Sequence, residues 1–177
     1  TWTESAFSAG GGGGGDPILV YNADGDLYFS WLDLRMSGMS MTLYMLFAKS
    51  TDGGLTFGET DTIDGGALSM SGGTMVDKQW MAADHSNSPR RNTVYVAYVN
   101  MEMAGSSQNM GIVVKRKLAA SEKFQDKVLI TGEEFETVQF PSINVDADGN
   151  VHVFWWGTRN NVNGLWHTVS SDGLTFG

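Results

Sequence analysis

Apolar and polar residues alternate along this chain in short runs, and nowhere do they recur at the spacing of an amphipathic helix. Residues 18–21 and 27–31 alternate around Asn22-Ala23-Asp24-Gly25-Asp26, a cluster of turn formers, and this predicts a hairpin. A third strand is expected over 42–49 and a fourth from Phe57 onward. The same order then returns twice. Strands are predicted near 80–83, 93–99 and 111–116, and again near 128–131, 142–145, 151–156 and 165–169, with hairpins opening on Asp16, Asp77 and Phe140. Between the first and second units, residues 58–73 read as a Gly/Ser-rich connection. Residues 1–9 are expected to be an outer strand, and they are candidates for the fourth strand that the last unit lacks. The glycines at 10–15 have no side chain to pack and predict a flexible connector. They do not predict a phosphate cradle, because neither a helix nor Lys-Ser/Thr follows.

The link between the third and fourth strands is Ser50-Thr51-Asp52-Gly53-Gly54-Leu55-Thr56-Phe57. Asp52 can accept bonds from amides further along the turn, the two glycines tolerate crowded dihedrals, and Phe57 is a large apolar anchor beyond the bend. The segment returns one residue short as Ser170-Ser171-Asp172-Gly173-Leu174-Thr175-Phe176. Residues 117–124 keep its length and closing aromatic but lack the Asp and the glycines, which marks a decayed copy. Thr1-Trp2 reads as the tail of another. The aromatic anchors Trp2, Phe57, Phe124 and Phe176 then recur at roughly 50–70 residues, the regime of solenoids and propellers.

The pattern Ser-x-Asp-x-Gly-x-Thr-Phe resembles the Asp-box of the sialidase-like (BNR repeat) family, and the likeness covers nearly the whole chain. It implies an all-β fold, a β-propeller of four-stranded antiparallel blades with about three blades present, half of a six-bladed ring. Residues 1–177 would form one propeller segment with repeats near 1–57, 58–124 and 125–177, the remaining blades coming from the same longer chain or from a second copy. Thr1 lies inside a box and Gly177 just past one, so a mature fragment or a piece of a longer chain is expected. In that family the boxes are structural and lie away from the ligand face. Ser50, Asp52, Gly54, Thr56 and Phe57, with Ser170, Asp172, Gly173, Thr175 and Phe176, are therefore expected to be fold markers. The resemblance also implies an extracellular or cell-surface setting.

Composition narrows the function. The net charge of −9 argues against nucleic acid, since a phosphate-binding surface needs clustered cations and only Lys115-Arg116-Lys117 comes close. No apolar run is long enough for a membrane-spanning helix. With no cysteine there is neither a disulfide framework nor a thiolate metal site. His85, His152 and His167 lack metal-ligand spacing, although His152 and His167 can face each other across neighbouring strands. The two Asx-Ala-Asp-Gly-Asx runs at 22–26 and 146–150 are expected to be hairpin turns, because their glycine comes too early for a helix-loop-helix calcium site. The ten methionines are expected to fill core space or offer an adaptable surface.

In sialidase-like propellers the ligand face is built from the starts of first strands and the ends of second strands. Carried over, it receives Asp16, Asp33, Arg35, Asp77, Lys78, Trp80, Asn100, Glu102, Trp156, Arg159 and Asn160, a mixture of charges and tryptophans suited to sugar rings. Sialidases place Arg-Ile-Pro at a first-strand start, where the arginine binds the substrate carboxylate. This chain has Asp16-Pro17-Ile18, and an aspartate there repels a carboxylate. Leu32-Asp33-Leu34-Arg35 resembles the family's Glu-x-Arg segment, yet no acid follows within 36–41, and the family's Tyr nucleophile and its Glu partner belong to later blades. The expected function is thus a non-catalytic module that binds a glycan or protein or forms part of a larger assembly, without cofactor or metal. The alternative is a fragment of a glycoside hydrolase, with Asp33 or Glu102 as carboxylates and Arg35 as a clamp.

Overall fold

Residues 14–69, 71–105 and 107–177 are described by the computed structural model of the chain. The expectations for residues 1–9, for the anchor Trp2 and for the glycines at 10–13 lie outside them. Every regular element among the described residues is a strand. The first unit comprises β1 (Gly14–Tyr21), β2 (Leu27–Ser37), β3 (Ser40–Ser50) and β4 (Asp61–Ser69). The second comprises β5 (Gly72–Ala83), β6 (Val94–Ala104), β7 (Ser107–Lys117) and β8 (Gln125–Leu129), and the third β9 (Phe135–Val145), β10 (Val151–Arg159) and β11 (Val162–Ser170).

Each unit is an antiparallel meander in which sequence neighbours pair. The first two join into one eight-stranded sheet where β4 meets β5 through Leu68 opposite Gly73 and Ser69 opposite Gly72, and the third is a separate three-stranded sheet. The expected connection over 58–73 is therefore largely strand: β4 pairs along β3, and the chain turns back at once into β5. The strand expected at 128–131 as the first of the third unit is β8, and it pairs with β7 instead. The units thus run out of phase with the repeats, because each of the first two takes its fourth strand from beyond the box. β11 is an edge strand among the described residues.

The three units pack face to face because the middle one is apolar on both sides. Successive β6 side chains point to opposite faces. Val94, Val96 and Tyr98 enter the core shared with Leu32, Met45, Phe47 and Ile63 of the first unit. Tyr95, Ala97 and Val99 enter the core shared with Val138, Ile143, Val153 and Trp155 of the third. β1 lies against β5, and β5 against β9, so the three first strands are neighbours. The first interface also holds a polar bolt: the Tyr98 hydroxyl donates to Asp64 Oδ2, and Lys127 Nζ lies 3.1 Å from the same oxygen. Burial alone would raise the Asp64 pKa, but bonds from Tyr98, the Gly65 amide and Lys127 outweigh it and hold the carboxyl below its ordinary value.

The boxes tie the far end of the sheets. Thr56 donates its amide to Asp52 Oδ1 (2.9 Å) and its hydroxyl to Asp52 Oδ2 (2.6 Å), while the Gly54 amide reaches Ser50 Oγ (2.9 Å). Gly53 and Gly54 take φ of 75° and 89°, the left-handed region that glycine enters without penalty. The second box repeats the scheme, with the Leu174 and Thr175 amides both 2.7 Å from Asp172 Oδ1. In the decayed copy, the Lys117 ammonium donates to the Ser121 carbonyl and takes over the tie. Phe124 still plugs the first core, edge-on to Phe47 at 5.1 Å. Asn22 and Asp146 each spend one side-chain oxygen on two backbone amides of their turns.

Candidate functional site

The first strands share one irregularity. Asp16, Lys78 and Phe140 have φ of 48°, 57° and 53°, and at each the ladder to the second strand slips through a β-bulge. A non-glycine residue held in this region stores of order 1–3 kcal/mol, which persists only where the surroundings enforce it. Here it recurs at the same place in three units. Bulges re-aim side chains, and these aim them at a common space: residues 16–18, 78–80 and 140–142, three from each unit, line one cavity of about 370 Å³. That volume lies at the lower end of the roughly 300–1,000 Å³ typical of small-molecule sites.

The walls combine aromatic surface with few charges. Trp80 and Phe140 are 48% and 64% exposed. Lys78 Nζ stands 3.4 Å from Asp77 Oδ2 and 3.9 Å from Asp16 Oδ2, so the single ammonium is shared between two carboxylates. Gln79, only 4% exposed, donates from Nε2 to the Asp16 carbonyl at 2.7 Å and braces one bulge against the next. Its Oε1 is buried with no hydrogen-bond partner. Such a cavity can stack a ring on an aromatic face and hydrogen-bond its edges. Its charge disfavours an anion.

The structure brings Asp16, Lys78 and Trp80 together, with Asp77 behind Lys78. Trp156 lines an adjoining apolar cleft that shares Phe140 and Ser142 with the cavity. Asp33 is 2% exposed, beside Gly14 in the ladder, and accepts a 2.7 Å bond from Arg35 Nε; the Arg35 guanidinium lies over the Tyr44 ring. Asn100 and Glu102 sit further along β6, 3.4 Å apart, and Asn100 also accepts from Lys127. Arg159 is spent over the rings of Phe135 and Trp166, and Asn160 belongs to the β10–β11 turn at φ 52°. None of these last six lines the cavity. Gln79, Pro141 and Ser142 line it without having been singled out in the sequence, and so does Phe140, which was expected only to open a hairpin. The signal was the second aromatic-or-acid-then-proline step: Phe140-Pro141 stands where the first unit has Asp16-Pro17.

His152 and His167 do meet, with Nδ1 and Nε2 3.1 Å apart, and Asp146 Oδ2 lies 3.0 Å from His152 Nε2. Among the described residues no group of three or more His, Asp or Glu is placed to hold a metal ion, and no helix is long and apolar enough to cross a membrane.

An all-β antiparallel stack of this kind resembles part of a sialidase. Two solved structures carry that likeness. The Hadza microbial sialidase Hz136 superposes with a TM-score of 0.63 at 13% identity over 90% of this chain and 36% of its own. A protein of unknown function from Dyadobacter fermentans DSM 18053 superposes with a TM-score of 0.66 at 15% identity over 100% of this chain and 54% of its own. The chain therefore spans about a third and about half of their lengths. No family model and no curated protein matches the sequence.

Proposed function

We propose that this chain is part of a sialidase-like β-propeller at the cell surface or outside the cell, its three meander units being successive blades around an axis lined by β1, β5 and β9. Its role is to bind an uncharged carbohydrate ring without catalysis. The observation that carries this reading is the convergence of three equivalent bulges on one cavity with two exposed aromatic faces. Trp80 and Phe140 supply stacking surfaces, Asp16 and Lys78 hydrogen-bond hydroxyls, and Gln79 fixes the spacing of the walls. The shared ammonium between Asp16 and Asp77 disfavours a sialic acid carboxylate. The hydrolase alternative draws less support, because Asp33 is buried against Arg35 and neither it nor Glu102 faces the cavity.

The test is titration calorimetry against neutral and sialylated oligosaccharides, with the wild type and Trp80→Ala. The wild type is expected to retain the neutral sugars, and Trp80→Ala to lose at least about tenfold in affinity, roughly 1.4 kcal/mol, with an unchanged melting temperature. Equal affinity in the two proteins, or a preference for the sialylated set, sinks the reading.

A further inference from the structure

The methionines divide by what surrounds them. Met45, Met81 and Met101 fill the cores and are at most 6% exposed. Among the described residues, the methionine sulfurs that accept a hydrogen bond are those of Met101, from Gln108 Nε2 at 3.7 Å, and Met110, from Thr137 Oγ1 at 3.6 Å. A different group stands at the tip of the β2–β3 hairpin, in Met36-Ser37-Gly38-Met39-Ser40-Met41. Met36 and Met41 are direct partners across the ladder, so their side chains share one face of the ribbon with Cβ atoms about 4.5–5.5 Å apart. Ser37 pairs with Ser40 one step further out, and Gly38 and Met39 form the two-residue turn, which Gly38 opens at φ 60°. The bend thus holds a third methionine beside the pair. Met36 is 65% and Met39 80% exposed, so neither is spent on packing. Residues 34–51 contain no His, Cys, Asp or Glu, and Arg35 alternates to the other face, where it is held 2.7 Å from Asp33 and over the Tyr44 ring.

We propose that this tip binds a soft monovalent cation of the copper(I) class through the thioethers of Met36, Met39 and Met41. A thioether is a neutral, polarisable donor that selects copper(I) over magnesium, calcium and manganese, which prefer carboxylate and carbonyl oxygens. The hairpin offers no carboxylate, imidazole or thiolate, so a hard cation finds no charged ligand there. The ladder sets two sulfurs side by side and the turn adds the third, while the three rotatable bonds of each side chain let the sulfurs converge on one ion. With Arg35 turned away and engaged by Asp33, no fixed positive charge opposes the ion, and the net charge of −9 favours a cation at the surface. The site shares no residue with the ligand cavity and stands independently of the sugar reading. The other use of exposed methionines is an adaptable apolar contact, which needs their volume but not their sulfur. Leucine keeps the volume and removes the sulfur, so it separates the two.

The absence of cysteine removes the usual competitor for soft metals. The full-length polypeptide carrying this sequence is labelled at its methionine methyl groups and titrated with silver(I), the redox-stable stand-in for copper(I), and the methyl resonances are followed by NMR. The resonances missing from the spectra of Met36→Leu, Met39→Leu and Met41→Leu are expected to shift together and to saturate at one ion per chain. Copper(I) affinity is then measured under ascorbate by competition with bicinchoninate. Each single leucine variant should lose about 10–100-fold, the range seen even when an outer partner of a metal ligand is removed. Met103→Leu, which replaces an exposed methionine on another hairpin, should bind like the wild type. The wild-type titration is informative whether or not a variant folds. The proposal is overturned if silver(I) leaves those three resonances in place or shifts other methionines first, and equally if the leucine variants hold copper(I) as tightly as the wild type, the result expected of an apolar contact surface.

Discussion

Replacing Phe124 tests whether the decayed box still acts as an anchor. The ring is 7% exposed, sits in the core between the first two units and meets Phe47 edge-on with centroids 5.1 Å apart and planes at 81°. Truncation to alanine removes a buried aromatic ring and leaves a cavity bounded by two packed units that cannot easily collapse, which costs about 3–5 kcal/mol. Part of this, about 0.5–1.5 kcal/mol, is the aromatic pair. Against a total stability of about 5–15 kcal/mol the loss is large. With a urea m-value of about 2–3 kcal/mol/M, the midpoint followed by tryptophan fluorescence should fall by about 1–2 M. Phe124→Leu, which retains most of the volume, should cost less than about 1.5 kcal/mol. A loss under about 1 kcal/mol for Phe124→Ala would refute the argument, because the segment would then be a loop that merely ends on an aromatic.

Other predictions follow from the ties at the same end. Hydrogen bonds from Thr56 and Ser50 hold the Asp52 pKa at about 2, and bonds from the Thr175 and Leu174 amides and from His152 and Asn150 hold Asp172 and Asp146 well below the usual range. Lowered folded-state values mean stabilisation that is complete above the ordinary carboxyl value near 4 and is lost as pH falls through the folded values. The melting temperature should therefore drop below about pH 4, and Asp52→Asn with Asp172→Asn should flatten that slope; an unchanged slope counts against the boxes as the acid-labile element. Gly173→Ala should destabilise by about 1–3 kcal/mol in urea titration, since φ is 73° and a Cβ would lie 2.6 Å from the Tyr95 ring. Arg90→Ala removes a 3.0 Å bond to the Gly149 carbonyl that joins the second unit to the third. It should cost about 1–3 kcal/mol, and amide exchange should accelerate in the 146–150 turn before it does in β6.

Much of the fold was legible because strand alternation and turn chemistry are local. The hairpin at 22–26, the boxes at 50–57 and 170–176 and the anchor Phe124 all follow from residue types at fixed spacing. The misplaced pieces needed pairing information. β4 carries Gly65 and Gly66, which dilute its strand signal, yet β3 gives it a partner over 61–68. Residues 128–131 look like the start of a unit, and only the ladder to β7 shows that β8 finishes one. The loop at 84–92, between β5 and β6, carries Pro89, Arg90 and Arg91. Its role emerges from long-range bonds: Asn92 to Asp24, Arg90 to Gly149 and His85 to the Tyr21 carbonyl stitch three turns together. No spacing rule predicts those.

The candidate site was half legible for a related reason. A bulge is a property of register, and register is set by the partner strand. Asp16, Lys78 and Phe140 are an acid, a base and an aromatic, so no pattern of residue types marks them as equivalent. Yet they stand at matching places, 16, 78 and 140, just as Asn22, Asp84 and Asp146 stand at 22, 84 and 146. The two sets differ in what they vary. At the turns all three residues are Asx types whose side-chain oxygen accepts local amides, because the bend requires an acceptor there. At the bulges the backbone is alike and the side chains are not. A ring of strained positions with a common backbone and divergent side chains imposes one geometry and three chemistries on the same cavity. Under the function proposed above, that arrangement suits an asymmetric small ligand.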